Sequence, residues 1–291
     1  MLIKKIYLIL FLLILLQHSF ASEKKGACLA DLKSADRINA LNVSWYYTWK
    51  PYPIKGTSAN FVPMLWGGKQ KRLKKELKAL RSMGKVPVLL VFNEPDKKDQ
   101  ANMTVEQVVK LWPEIEQLAE KISSPAVAGG TNQWFKKFYK IAKKKHLKFD
   151  FIAVHLYTSP NPKKFLKKID YIYKKYHLPI WITEFAVADW KSSKRNCKLK
   201  KKYKCKNKYS EKEVLEFMKA VLPELEKCPY VEKYAWFGAG HDCYKREQVR
   251  TSCLFDKYGK LTSVGCFYAL FKWPKEKSVP KNYCKTVKVK P

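Results

Sequence analysis

Val91–Phe92–Asn93–Glu94–Pro95–Asp96 and Trp181–Ile182–Thr183–Glu184–Phe185 are the two stretches on which the reading of this chain turns. Each is an apolar run of strand-like composition that ends in a carboxylate. A carboxylate at the tip of a buried strand is poorly solvated, so it needs a partner or a task. One such Glu is ordinary as a surface residue closing a strand. Two of them, in a chain that alternates strands with helices, suggest the acid and the nucleophile of a glycosidase.

Working outward, short apolar strands are expected at 26–29, 43–49, 61–66, 87–93, 126–130, 149–157, 179–185 and 234–237. Between several of them, apolar residues recur at helical spacing, at 69–83, 105–122, 133–145, 162–176 and 211–227; Leu73, Leu77 and Leu80 are one such stripe. The gaps 30–42 and 50–60 read as loops. Eight strands with intervening helices give an α/β fold, a (β/α)8 TIM barrel. In that count Glu94 ends the fourth strand and Glu184 the seventh. Two loops, 190–209 with Cys197 and Cys205, and 241–253 after the last strand, then emerge at the C-terminal face beside both carboxylates.

The first 21 residues read as a signal peptide: a basic start, the apolar run 6–16, and Ser19-Phe20-Ala21 before Ser22. The run is shorter than the roughly 20 residues a bilayer requires. The expected mature chain, 22–291, is one secreted, extracellular domain, a monomer with no membrane span. All eight cysteines follow the leader, and an even count in a secreted chain argues for disulfides, with little free thiol and staples on the long loops. Asn42-Val43-Ser44 and Asn102-Met103-Thr104 match the glycosylation pattern, the first at a strand start that argues against modification.

The formal net charge is +34, yet only six of the 59 basic residues are Arg. Readers of nucleic acid and sulfate favour the forked guanidinium, so no specific nucleic-acid partner is expected. Much of the lysine falls on outer helix faces, as within 71–85 and 136–148, where a solvated surface accounts for it.

Cleaving a glycosidic bond takes a proton for the leaving oxygen and a nucleophile or base for the anomeric carbon. Retaining enzymes place the two carboxyls about 5–5.5 Å apart, inverting ones about 6.5–9.5 Å. Carboxyls on strands four and seven face each other over a barrel mouth, which suits the shorter distance. Pyranose rings stack on aromatic faces, and Trp45, Tyr47, Trp49, Trp66, Trp134, Tyr157, Phe185, Trp190 and Trp236 are the aromatics expected to bind substrate. Trp181 is equally suited to filling the barrel interior. Asn93 is placed to hydrogen-bond a sugar hydroxyl. His155 and Tyr157 share one face of strand six, from which Tyr157 can hydrogen-bond Glu184 and keep it ionised.

Read in order, Ser44-Trp45-Tyr46-Tyr47-Thr48-Trp49, Phe61-Val62-Pro63-Met64-Leu65-Trp66-Gly67, Asn93-Glu94-Pro95-Asp96, Gln100-Ala101-Asn102-Met103, Val154-His155-Leu156-Tyr157, Thr183-Glu184-Phe185 and Tyr234-Ala235-Trp236-Phe237-Gly238 resemble glycoside hydrolase family 128, the alkali-sensitive linkage protein-like catalytic domains. The resemblance covers most of the chain from about residue 25 to 270. It implies a (β/α)8 fold and retaining hydrolysis of β-1,3-glucan, with Glu94 as acid/base and Glu184 as nucleophile; cleavage within chains is the expected mode. Thr48 stands where the family pattern has Asn.

Other chemistries are thin. Gly238-Ala239-Gly240 is a fragment of a dinucleotide loop, no Gly-x-Ser-x-Gly elbow exists, and His241-Asp242-Cys243 is no metal motif, so neither cofactor nor metal is expected. Two alternatives stay open: a retaining glycosidase of acidic polysaccharide that uses the lysine surface, and a non-catalytic glucan-binding wall or recognition protein.

Overall fold

The computed structural model describes residues 22–30, 35–199, 205–240 and 242–273. The signal-like segment 1–21 and Cys284 lie outside the described residues. The strands are β1 (Lys25–Cys28), β2 (Trp45–Tyr47), β3 (Asn60–Phe61), β4 (Met64–Leu65), β5 (Val86–Asn93), β6 (Ala119–Ala128), β7 (Ile152–Thr158), β8 (Ile180–Val187) and β9 (Val231–Phe237). All pair in parallel, in the order β3-β2-β1-β9-β8-β7-β6-β5-β4.

The two ends of that order, β3 and β4, are halves of the single strand expected over 61–66. Pro63 has no N–H to donate, so the ladder breaks there. Val62 N still donates to Tyr46 O on one side (2.9 Å), and Pro63 O accepts from Leu90 N on the other (3.0 Å). Consecutive residues thus join both neighbours and the sheet curls into an α/β barrel of eight staves.

Around it lie α1 (Ala35–Ala40), α2 (Gln70–Ser82), α3 (Val105–Glu116), α4 (Gln133–Lys144), α5 (Pro162–Tyr176), α6 (Lys194–Leu199), α7 (Glu211–Lys227) and α8 (Ser263–Leu270). Their starts are written in the sequence. Thr104 with Gln107, and Ser210 with Glu213, form reciprocal capping boxes, and Asn132, Asn161 and Thr262 cap α4, α5 and α8. Three boundaries differ from expectation, one of them β8, which runs on to Val187 and so places Glu184 within the strand rather than at its end. The gap 30–42 contains α1. The helix expected to run to residue 122 stops at Glu116, and β6 begins at Ala119. Leu118 and Ile122 continue the helical spacing of Ile115, but Ile122 pairs with Leu89 in the sheet.

Side chains fill the barrel interior. Trp181 lies 4.4 Å from Phe151 and 5.2 Å from Trp45, between ring centroids, beneath Tyr47, Met64 and Leu90. Gly26 is required here: a Cβ would stand 2.3 Å from the Trp45 indole. At the opposite end from the carboxylates, Lys24 and Lys25 tie the first strand to helix C-termini. Lys24 Nζ donates to Leu225 O, Glu226 O and Cys228 O, and Lys25 Nζ to Tyr268 O, Ala269 O and Phe271 O. Burial pulls the Lys25 pKa down to about 7, against the opposing pull of Glu226.

Cys197–Cys205 and Cys243–Cys253 staple the two loops expected to carry them, and Cys266 is also disulfide-bonded. Cys28 and Cys228 are free thiols. Cys28 is enclosed in the barrel, where its Sγ faces Trp236 O at 3.7 Å. Among the described residues no helix is long and apolar enough to cross a membrane.

Candidate active site

Both carboxylates are aimed by irregular backbone. Along β5 the register against β6 shifts between Leu89 and Val91 and again between Val91 and Asn93, and Phe92 and Glu94 are left-handed, with φ 57° and 42°. Such conformations cost bulky residues about 1–3 kcal/mol each and persist only where their surroundings enforce them. Here Asn93 N donates to Trp66 O (3.0 Å), Glu94 N to Ala126 O (2.7 Å) and Ala101 N to Asn93 O (3.1 Å). Asp96 closes the box by accepting from Ala128 N and Asn132 Nδ2. On β8, the register shifts between Ile182 and Phe185 against β9, and the resulting bulge re-aims Glu184.

The result is one tight constellation. His155 Nδ1 lies 3.0 Å from Glu94 Oε1, and His155 Nε2 lies 3.5 Å from Glu184 Oε1 without a hydrogen bond. One oxygen of Glu94, one His155 nitrogen and one oxygen of Glu184 all fall within 4.8 Å of one another. Three donors converge on Glu184: Trp49 Nε1 on Oε1 (2.7 Å), Tyr47 OH on Oε1 (3.2 Å) and Tyr157 OH on Oε2 (2.6 Å). Tyr157 therefore makes the contact its strand position suggests.

Burial, then the Glu184 charge, holds the Tyr47 and Tyr157 hydroxyls well above the usual phenol range, so both remain donors. Burial lowers the His155 pKa, but Glu184 and Glu94 outweigh it and hold the imidazole above its ordinary value. Burial and Glu184 together keep the Cys28 thiol protonated. Glu94, His155 and Glu184 are also the donor set among the described residues that offers ligand atoms to a metal. The three N–H and O–H donors already on Glu184 suit a bare carboxylate instead.

Above the carboxylates opens a cleft of about 770 Å³ at the C-terminal ends of the strands. Asn93, Glu94, Trp49, Tyr157, Glu184 and Trp190 line it, as the sequence suggested. Asn93 Nδ2 donates to Gln100 Oε1 (3.0 Å), and its buried Oδ1 has no partner. Trp190, 49% exposed, stands at the rim against Tyr157. Tyr47 and His155 lie just beneath the floor. Thr48 spends its hydroxyl on Lys50 O and Tyr52 O and holds the turn that carries Trp49.

Five expected substrate-binding aromatics lie elsewhere. Trp45 points inward but deep, with Nε1 on Lys24 O (3.0 Å). Phe185 and Trp236 are fully buried on the helix-facing side of the sheet, 5.0 Å apart between centroids, and Trp236 Nε1 donates to Ser252 O. Trp134 packs on Phe138 and donates to Met103 O. Trp66 lies under the Arg72 guanidinium rather than on the cleft wall. Phe237 was missed: it lines the cleft edge-on to Trp49 and Tyr157. Strand parity is the signal that finds it. Ala235 faces the barrel interior and Trp236 the helices, so Phe237 faces in again. Gln100, quoted above within a family-like segment but not as a site residue, is also in the lining, as are Arg72, Arg246 and Gln248, which carried no sequence signal.

Comparison with known proteins agrees with this geometry. A family model described as glycosyl hydrolase catalytic core matches residues 26–268. Alkali-sensitive linkage protein 1 of Schizosaccharomyces pombe is 29% identical over 272 residues, which are 86% of this chain and 45% of that protein, so the chain spans less than half its relative's length. A glycoside hydrolase family 128 subgroup I endo-β-1,3-glucanase from Amycolatopsis mediterranei, solved with laminarihexaose, is similar at TM-score 0.70 and 28% identity, over 85% of this chain and 98% of that one. A subgroup V exo-β-1,3-glucanase of the same family from Cryptococcus neoformans is similar at TM-score 0.66 and 26% identity, over 84% and 98%. With barrel, carboxylate pair and sequence model in accord, the chain belongs to the glycosyl hydrolase catalytic core family.

Proposed function

We propose that this protein is a secreted retaining hydrolase that cleaves β-1,3-glucan within chains, with Glu184 as nucleophile and Glu94 as acid/base. The observation that carries the reading is the carboxylate pair gathered with His155, one ligand atom from each within 4.8 Å of the others, under an aromatic cleft. So close an approach of the two carboxylates supports the short spacing of retaining enzymes over the wider spacing that inversion needs. The solved relatives' laminari-oligosaccharide complex supports the substrate class.

In the first step a Glu184 oxygen attacks the anomeric carbon as the glycosidic C–O bond breaks, and the leaving oxygen takes a proton from Glu94. In the second, Glu94 takes a proton from water, the water oxygen attacks the same carbon, and Glu184 leaves. His155, whose Nδ1 lies 3.0 Å from Glu94 Oε1, orients that carboxyl by hydrogen bonding. Tyr47, Trp49 and Tyr157 hold Glu184 for in-line attack, and their hydrogen bonds must weaken as it becomes an ester.

The lysine distribution supports a neutral substrate over an acidic one. Lys71, Lys74, Lys75, Lys78, Lys136, Lys140, Lys163 and Lys167 are exposed on the outer helices, whereas Lys50 is the one lysine in the cleft lining among the described residues. Secretion is supported by the leader-like segment and the disulfides.

The test is incubation of the secreted chain with defined β-glucans and glycosaminoglycans, with the product anomer read by proton NMR in the first minutes. Oligosaccharides of mixed length with initial β configuration are expected from β-1,3-glucan. An initial α anomer overturns retention, and release of glucose alone overturns cleavage within chains.

A further inference from the structure

Trp49 gives Glu184 its shortest indole contact from a left-handed backbone, φ 54°, that a bulky side chain does not hold by itself. Besides the Thr48 hydroxyl bonds within the turn, what holds it comes from α2. Arg72 Nη2 donates to Trp49 O at 3.0 Å, and Arg72 Nε donates to Glu76 Oε1 at 2.7 Å. The guanidinium carbon lies 3.9 Å over the Trp66 ring, and Glu76 Oε2 accepts from Trp66 N at 2.9 Å. One planar fork is thus fixed by a carboxylate, an aromatic face and the carbonyl it supports. Glu76 is buried and outside the cleft lining, one turn behind Arg72, so its side chain has no route to a bound sugar. Burial pushes its carboxyl up while Arg72 pulls it down, as in a pair assembled inside the fold.

We propose that Arg72 and Glu76 are positioning residues of the active site: through Trp49 O they lock the left-handed turn that aims the Trp49 indole N–H at Glu184 Oε1. A lysine at position 72 retains the charge but not the fork, and cannot serve Glu76 and Trp49 O in the same geometry. The effect falls on the reacting carboxylate rather than on the sugar, so it belongs in kcat. The kinetic part rests on the assignment of Glu184 above. The structural part does not.

The experiment compares Arg72→Lys and Glu76→Gln with wild type in two readouts. The first is the 15N-indole NMR spectrum, with the Trp49 resonance identified by its loss in Trp49→Phe and by its response to Glu184→Gln. In both α2 variants that resonance should move toward its Glu184→Gln position, while indoles other than Trp49 and Trp66 stay in place and show the fold intact. The second is hydrolysis of a laminari-oligosaccharide. We expect kcat to fall about ten- to a hundredfold with KM changed less than about threefold, the scale on which small misplacements of a reacting group are felt. An unmoved Trp49 resonance overturns the proposal whatever the activity. A rise in KM at constant kcat overturns it in favour of a direct Arg72–sugar contact. If wild type cleaves no glucan, the substrate reading fails and the indole resonance still decides this one.

Discussion

His155 on β7 stands directly across from Glu184 on β8, although Ala153, two residues before it, stands across from Trp181, three residues before Glu184. The extra residue in β8 is what turns Glu184 inward at the height of His155. In an unbroken ladder Thr183 would hold that place, and the side-chain alternation would send Glu184 toward the helices. The carboxylate pair therefore depends on one inserted residue in one strand.

Replacing Glu184 with Ala should abolish turnover while leaving oligosaccharide binding in place. Loss of the covalent route removes the step at the anomeric carbon, by about a thousandfold or more, but not the stacking contacts. Calorimetry with laminari-oligosaccharides should show affinity within about threefold of wild type on that argument. Near-native hydrolysis would remove Glu184 from the mechanism.

Glu94→Gln should slow poor leaving groups by about 10²–10⁴-fold, the usual contribution of a positioned acid. Activated aryl glycosides need little protonation, so their first step should be far less affected. Azide should partly restore turnover with retained configuration, since the anion attacks the glycosyl-enzyme without a base. Equal slowing of both substrate types would refute the acid role.

Because the native carboxylates raise the His155 pKa above its unfolded value, its contribution to stability is fully present below about pH 6.5 and fades as pH rises through the raised value. Urea unfolding of wild type and His155→Asn between pH 5.5 and 8.5 should show a stability gap that narrows with pH. A gap that widens would mean that the imidazole is held neutral.

Lys25 works in the opposite sense. Its native pKa, pulled down to about 7 by burial, lies below the unfolded value, so the unfolded chain binds the extra proton between about pH 7 and 10.5. Relative to Lys25→Met, wild type should gain stability as pH rises across that window. Parallel curves would show that the three carbonyls at Nζ keep the ammonium charged.

Salt should matter little for a neutral glucan. Screening weakens exposed lysine fields and leaves stacking at Trp49 and Phe237 intact, so hydrolysis should change less than about tenfold between low and moderate ionic strength. A steep fall on an acidic polysaccharide would bring the alternative substrate forward.

Much of this was legible in the chain because a strand's alternation and its terminal residue survive in sequence. The eight staves and the inward face of Tyr157 follow from it, and the Asn-Glu-Pro and Thr-Glu-Phe segments mark both Glu, although the bulge that turns Glu184 inward is not written in any alternation. What was lost has physical causes. Trp236 is turned to the helices by parity from Ala235, whereas Phe185 reaches that side only through the extra residue in β8, which parity counted from Trp181 does not foresee. Ile115, Leu118 and Ile122 keep helical spacing across a helix end, so β6 began unseen. The left-handed turns at Trp49, Phe92 and Glu94 use residues that rarely adopt them, and no local propensity announces such a site.

The two stapled loops hold a further consequence. Cys197–Cys205 and Cys243–Cys253 each join residues only 8 and 10 positions apart, and neither reaches into the barrel wall. Short closures restrain their own loop and leave distant strands untouched. The rim around Trp190 and Arg246 is thus an independently reinforced collar. In a reducing milieu it would slacken first, loosening the rim of the cleft while the cluster of Glu94, His155 and Glu184 kept its shape.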